Sequence, residues 1–351
     1  MTVLRWGIIG CGQIAGDFVR ALSVSEKNHK IIAAAARSLE KAEEFVKHSG
    51  LPIQAYGNYE SVLDDEDVDI VYIALLNKFH AEYVVRALDA GKHVLCEKPM
   101  AVNAKEVRKM IEKARAKKLF LMEALWSRFF PAWQHIKRIV DSEEVGKATH
   151  FHFNIAGTNP RLNLDLCEIP TLATGVYCVA LSLFIFGEEK PIRIDAIGEK
   201  NEHGFEEWCN LTLVFRNGRH ATLYYDRTTL SAWSSYVSCT NGQIQVEKKL
   251  IQGLIPRFCW APLEFTKISG IMRAGATKSE TFTYPLTQDY GKYYYNHSEG
   301  LHFEADHVFD AIQAGKTESE VMSLDTSLKC AEILDEIRRQ LGVVFPQDKH
   351  N

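Results

Sequence analysis

The sequence predicts an α/β chain: a doubly wound parallel sheet first, then an α+β part on a large, mainly antiparallel open sheet. Three observations predict it. Residues 1–122 alternate apolar runs of strand length with amphipathic stretches of helical period. A Gly10-Cys11-Gly12 turn joins the first run to the first helix. Beyond residue 123 the rhythm changes to longer alternating strands, with Asn217-Gly218 and Asn241-Gly242 as hairpin signals.

Arg5 to Ile9 reads as the opening strand, and Asp17 to Leu22 belongs to the helix after the glycine turn. Ile31 to Ala36 is an unbroken apolar run, and the charged stretch behind it puts Ala42, Phe45 and Val46 on one helical face. Val68 to Leu75 is rich in β-branched residues; the next helix buries Val84, Val85 and Leu88 before Gly91 closes it. His93 to Cys96 and Leu119 to Met122 are two more short strands around a helix rich in Lys and Arg. In the second part Thr149 to Ile155, Arg193 to Gly198, Trp208 to Phe215, His220 to Tyr225, Ser235 to Cys239 and Gln243 to Val246 read as strands. Helices are expected near Leu172 to Phe186, Phe303 to Ala314 and Leu324 to Leu341. The change of rhythm near residue 123 sets the expected domains at 1–122 and 123–351, and with no repeat or linker between them they are expected to share a wide contact.

A chain of 351 residues has room for about two domains, and 46% hydrophobic with 25% charged residues excludes disordered, collagenous and small disulfide-stapled classes. A formal charge of -4 supplies no footprint for a polyanion, so nucleic acid is not an expected partner. Eight dispersed cysteines form no C-x-x-C pair and are expected to be reduced and mostly buried. The longest apolar run, Val176 to Phe186, is broken by Ser182 and falls short of the roughly 18 to 20 residues of a spanning helix. With no apolar leader after Met1, the expectation is a soluble cytoplasmic protein without a membrane partner.

Gly10-Cys11-Gly12-Gln13-Ile14-Ala15 fits G-x-G-x-x-A where backbone N–H groups and a helix N-terminus meet a pyrophosphate, with Gly10, Gly12, Gln13 and Ile14 as expected contacts. At the end of the second strand, where an NAD enzyme usually offers an acid to the ribose, stand Arg37 and Ser38. A guanidinium and a hydroxyl suit the extra phosphate of NADP, with Lys41 one helical turn away. Leu76, Asn77 and His80 lie at another strand's carboxyl end, shaping the cofactor crevice or serving as turn and capping residues. Cys96-Glu97-Lys98-Pro99 puts a lysine at the same sheet edge, where an ammonium holds a substrate oxygen and lowers a neighbouring phenol's pKa; an exposed loop lysine is the alternative.

Together, Gly10-Cys11-Gly12, Asn77-x-x-His80 and Glu97-Lys98-Pro99 ahead of a mainly β second half resemble the Gfo/Idh/MocA oxidoreductase family. The segments Leu121 to Pro131, Gly242 to Val246, Gly300 to Ala305 and Phe345 to Lys349 extend the similarity, over nearly the whole chain, to its dihydrodiol- and sugar-oxidising members. The resemblance implies a Rossmann domain and an NADP-dependent enzyme that oxidises trans-dihydrodiols of aromatic rings to catechols and D-xylose to xylonolactone. It implies a homodimer built through the C-terminal sheet, Glu97 and Lys98 at the cofactor, and Lys98 with Tyr177 as the catalytic pair. Taken alone, Tyr177 reads as a core aromatic on a buried helix.

This chain departs from the family just before that tyrosine. Ala173 stands where the family has Asp, and Cys167 to Leu172, with Pro170, replaces a glycine-rich stretch. The departure leaves room for a catalytically weak NADPH-binding sensor or regulatory protein, or for an oxidoreductase of another sugar or polyol. Trp126 and Arg128 are the substrate-pocket candidates; Phe129, Phe153 and Tyr236 line the same pocket or pack. His150 and His152 alternate on one strand face without a third ligand in a motif, so no metal is expected.

Overall fold

The structure, a computed structural model, describes residues 3–157, 162–229, 234–246, 262–270, 277–286, 293–295 and 297–348. It forms two compact units, Met1–Trp126 with Thr287–Ala331 and Ser127–Leu286 with Glu332–Asn351. The first unit runs β1 (Leu4–Ile9), α1 (Gln13–Ala21), β2 (His29–Ala35), α2 (Leu39–Ser49), β3 (Gln54–Tyr56), α3 (Glu60–Leu63), β4 (Ile70–Ile73), α4 (His80–Asp89), β5 (His93–Glu97), α5 (Ala104–Lys117) and β6 (Leu121–Ala124). Every pairing is parallel, in the order β3-β2-β1-β4-β5-β6. The order reverses between β1 and β4, and sheets of this kind bind ligands outside the carboxyl ends of the strands at such a reversal.

Burial on both faces explains why these strands read as apolar runs: all of β4 is buried. The helices show one buried stripe instead. In α5 that stripe is Val107, Met110, Ile111 and Ala114, and the Asn103 side chain caps the start by accepting the Glu106 N–H at 3.0 Å. Gln54, Ala55 and Tyr56 carry neither signal, and β3 is a strand the sequence reading lacks.

The second unit contains α6 (Pro131–Asp141), β7 (Ala148–Ala156), α7 (Val176–Ile185), β8 (Arg193–Lys200), β9 (Glu206–Val214), β10 (His220–Asp226), β11 (Ser235–Cys239), β12 (Gly242–Val246), β13 (Glu264–Ser269) and β14 (Lys278–Thr283). Its sheet has the order β14-β13-β12-β11-β7-β10-β9-β8 and is antiparallel except for the parallel pair β7–β10. Phe151, Phe153, Ile155, Leu223, Tyr225, Val237 and Ile244 point to the buried face, where Trp133 of α6 meets the rings of Phe151 and Phe153 at 6.2 and 6.4 Å. Phe153 is therefore a core residue. On the other face His150, His152, His220, Thr222 and Tyr236 are half-buried; His150 Nε2 lies 2.6 Å from Thr222 Oγ1, and the His152 and Tyr236 rings stack at 4.9 Å.

Asn217 (φ 61°) and Gly218 (φ 74°) make the turn from β9 to β10, as their sequence suggests. At the other Asn-Gly pair Cys239 faces Gly242, so Thr240 and Asn241 form the loop. Gly242 is instead required by close approach, because a Cβ there would lie 2.2 Å from the Ile268 carbonyl oxygen of β13.

α8 (Leu301–Gln313) and the start of α9 (Leu324–Leu341) rejoin the first unit, a division that differs from the expected one at 122. Polar ties hold the 294–306 stretch, where buried Asp17 on α1 accepts the N–H groups of Tyr294 and Tyr295 at 2.7 and 2.8 Å and Asp306 on α8 takes Ser25 and His29, while Leu324 and Ala331 of α9 pack in the first unit's apolar core. The seven described cysteines carry no disulfide, and Cys259 lies outside the described residues. Among the described residues no helix is long and apolar enough to cross a membrane, and no three His, Cys, Asp or Glu side chains stand together as metal ligands.

Candidate functional site

Gly10 follows β1 at φ +98°, donates its N–H to the Ala35 carbonyl at 3.0 Å, and would put a Cβ 2.4 Å from the Ala74 carbonyl oxygen. Only glycine lets β1 and the end of β4 come this close. Gly12, the N-cap of α1, is exposed and would meet nothing within 4 Å on that side. Gln13 and Ile14 begin the helix, whose first turn holds no acidic residue, so its positive end is not neutralised. Burial pushes the Cys11 thiol up to about 12, which keeps it protonated.

Arg37 is exposed after β2, and Ser38 is the N-cap of α2 but makes no side-chain cap bond. Arg37 and Lys41 enter no ion pair among the described residues. An open glycine turn, an unneutralised helix start and two cations outside any ion pair fit a nicotinamide dinucleotide.

At the end of β4 Leu76 and Phe79 are left 39% and 37% exposed, while Asn77 is buried at the start of a short turn. His80, expected either in the crevice or as a capping residue, opens α4. It is completely buried, and its ring nitrogens lie 2.8 Å from the Pro99 carbonyl oxygen and 3.0 Å from that of Leu75. Burial pushes its pKa down, the two carbonyls oppose this, and the Lys98 ammonium adds to the fall. His80 ties the loop after β5 to the end of β4.

That loop holds the lysine. Glu97 is buried; its Oε1 accepts the Tyr72 hydroxyl, and its Oε2 accepts the Lys98 N–H at 3.2 Å. The Tyr72 ring is in turn stacked 4.0 Å from Phe18 of α1. Lys98 is partly exposed and precedes a cis Pro99. Burial raises the pKa of Glu97, against the Tyr72 hydroxyl and the Lys98 charge. Glu304 on α8 is also completely buried, with no hydrogen-bond partner for either oxygen among the described residues; burial, then Glu97, hold its pKa well above the carboxylate range. Sequence reasoning missed Glu304, although one signal was present: it interrupts the apolar face formed by Leu301, Ala305 and Val308.

In the second unit Tyr177 is 2% exposed on α7, all of whose residues are buried. A π-helical turn, Thr171–Gly175, leads into it and contains Ala173. Glu206 Oε1 accepts the Thr171 N–H and hydroxyl, both at 2.5 Å, and the Thr171 hydroxyl lies 2.7 Å from that of Tyr225. Sequence reasoning missed all three of these residues. Arg128 is completely buried, paired with Glu188 beyond α7 and set over the Phe184 ring at 4.7 Å, so its guanidinium packs the end of that helix. Trp126, in the first unit, is buried as well.

Residues 4–125 match the model described as the oxidoreductase family, NAD-binding Rossmann fold, of GFO/IDH/MocA, and residues 133–245 match the GFO/IDH/MocA C-terminal domain. The trans-1,2-dihydrobenzene-1,2-diol dehydrogenase of Mus musculus is 36% identical over 359 residues, covering 99% of each chain. That of Homo sapiens is 34% identical, again over 99% of each. Among solved structures, a 3-ketoreductase from Actinomadura kijaniata in complex with NADP and TDP-benzene superposes with a TM-score of 0.78 at 21% identity, covering 96% of this chain and 98% of that one. A putative NADPH-dependent oxidoreductase from Desulfitobacterium hafniense gives 0.80 at 19%, covering 97% and 96%. With both domains in order and relatives aligned end to end, the chain belongs to the Gfo/Idh/MocA oxidoreductase family and is an oxidoreductase with a nicotinamide-dinucleotide-binding Rossmann domain.

Proposed function

We propose that this oxidoreductase uses NADP and oxidises a vicinal diol, taking a trans-dihydrodiol of an aromatic ring to a catechol and D-xylose to xylonolactone. The observation that carries the cofactor is the end of β2, where exposed Arg37 and the unbonded hydroxyl of Ser38 stand in place of an acid. The substrate class rests on the end-to-end relatives named for trans-1,2-dihydrobenzene-1,2-diol. In this reading Tyr177 takes the proton of the hydroxyl being oxidised, and Lys98 holds that oxygen and lowers the phenol's pKa. Bound NADP⁺ supplies the hydride acceptor. Glu97 and His80 act behind Lys98, one holding its N–H and the other the Pro99 carbonyl. Gly10, Gly12, Gln13, Ile14, Leu76 and Asn77 shape the dinucleotide's seat, and Trp126 remains a pocket residue in this reading.

A second copy of the chain is the proposed partner, through the sheet face that carries His150, His152, His220 and Tyr236 half-buried. Free thiols at all seven described cysteines fit a reducing, cytoplasmic setting. Ala173, in place of the family's carboxylate, favours a second reading: a weak enzyme that senses NADPH.

The test is NADPH absorbance with purified protein and NADP⁺, against trans-dihydrobenzenediol and D-xylose in parallel. Turnover with either supports the enzyme reading. No turnover from protein that binds NADPH supports the sensor.

A further inference from the structure

Glu206 opens β9 and is completely buried, and its Oε2 has no hydrogen-bond partner among the described residues. Its other oxygen holds the first residue of the π-helical turn through the Thr171 N–H and hydroxyl. Tyr225, joined to the same Thr171 hydroxyl, also closes on the last residue of the turn, since a Cβ on Gly175 would lie 3.1 Å from its ring. The turn is therefore clamped at both ends, two residues before Tyr177. An apolar contact would anchor a turn at lower cost, because a buried carboxylate loses its hydration for only partial compensation. The carboxylate also supplies the acceptor for two buried donors of Thr171, which an apolar group would leave unpaired.

We propose that Glu206, acting through Thr171, is a positioning residue that sets the place of Tyr177. This rests on the reading of Tyr177 as the proton-exchanging group. Ionised, Glu206 is the stronger acceptor for both Thr171 donors, and protonation loosens its hold. Burial pushes Glu206 up to about 7, against the Thr171 contacts and the Arg338 charge. The groups facing it are Thr171 on the turn, Cys209 on β9, Tyr225 on β10 and Arg338 on α9, the last paired with Asp335 and Asp348. A folded pKa above the ordinary carboxylate value means that stability is lost as pH rises towards about 7, so the form that grips Thr171 is also the less stable one.

The experiment compares wild type, Glu206→Gln, Thr171→Val and Tyr177→Phe by hydrogen exchange of the 171–178 peptide, by melting, and by kcat and KM with NADP⁺ and trans-dihydrobenzenediol at about pH 6 and pH 8. In wild type, exchange of that peptide, corrected for the intrinsic rate, slows as pH rises and kcat rises with it. Glu206→Gln melts higher than wild type at about pH 8, exchanges faster there, and loses roughly tenfold in kcat with KM for NADP⁺ unchanged and the step near neutral pH gone. Thr171→Val loses the same step. Wild-type kcat, pH profile and exchange in Glu206→Gln would overturn the proposal. Tyr177→Phe separates the two ideas: full turnover in that variant refutes the reading of Tyr177 and the positioning role with it. An inactive Tyr177→Phe beside an unaffected Glu206→Gln refutes positioning alone.

Discussion

After β5, Glu97 accepts the N–H of Lys98; before α7, Glu206 accepts the N–H of Thr171. Both are buried carboxylates with raised pKa, and a tyrosine hydroxyl stands in each cluster, that of Tyr72 donating to Glu97 itself and that of Tyr225 bonded to Thr171. They differ in their distance from the proposed catalytic pair, Lys98 and Tyr177. Glu97 is the neighbour of its lysine, whereas Glu206 reaches Tyr177 only through a turn and part of a helix. On the proposed roles of Lys98 and Tyr177, the comparison teaches that the first unit holds its reacting group locally while the second delegates that task to the fold. A change beside Lys98 should therefore act on chemistry at once, and a change beside Thr171 should act through geometry.

The hardest test of this difference is Lys98→Met, which should cut NADPH formation by about a hundredfold or more while cofactor fluorescence still reports binding. An effect no larger than that of Glu206→Gln would erase the distinction. Next comes the glycine turn. Gly10→Ala forces both a positive φ and a backbone clash, and should cost about 3 kcal/mol in urea melts; Gly12→Ala has open space and should keep its stability while weakening cofactor binding. Arg37→Ala should raise KM for NADP about tenfold and leave that for NAD unchanged; equal effects on both would sink the phosphate assignment. The smallest effect is on Glu304→Gln. Because the folded pKa of Glu304 is raised, wild-type stability is fully present below the ordinary carboxylate pKa and falls as pH rises above it, so the variant's melting temperature should decline less from about pH 5 to about pH 8.

The parts legible in the sequence are those written contiguously. Strands buried on both faces appear as apolar runs, and Gly10 to Ala15 and Glu97 to Pro99 are single stretches. β3 and β14 are short and polar, and Lys-Ser-Glu-Thr-Phe-Thr carries one large apolar residue, so neither announces itself. The clusters behind the site join residues far apart in the chain: Glu206 is 35 positions from Thr171, Tyr225 is 54 from it, and Tyr72 is 25 from Glu97. No local pattern encodes such pairings. His80 shows the opposite case, a residue visible by motif whose ring nitrogens face backbone carbonyls.

The insertion of β7 between β11 and β10 sets the order in which the second sheet can assemble. Hairpins such as β11–β12 close over two residues and can form as soon as they are made. β7 pairs on both sides with distant strands, β7–β10 enclosing roughly sixty residues and β7–β11 roughly eighty, α7 and the β8–β9 hairpin among them, so the loop-closure entropy of both seams comes before any contact offsets it. The middle of the sheet should therefore be its last seam to close. Until it does, β7, β10 and β11 keep open edges, and a chain stalled at that stage is the one exposed to pairing with another molecule.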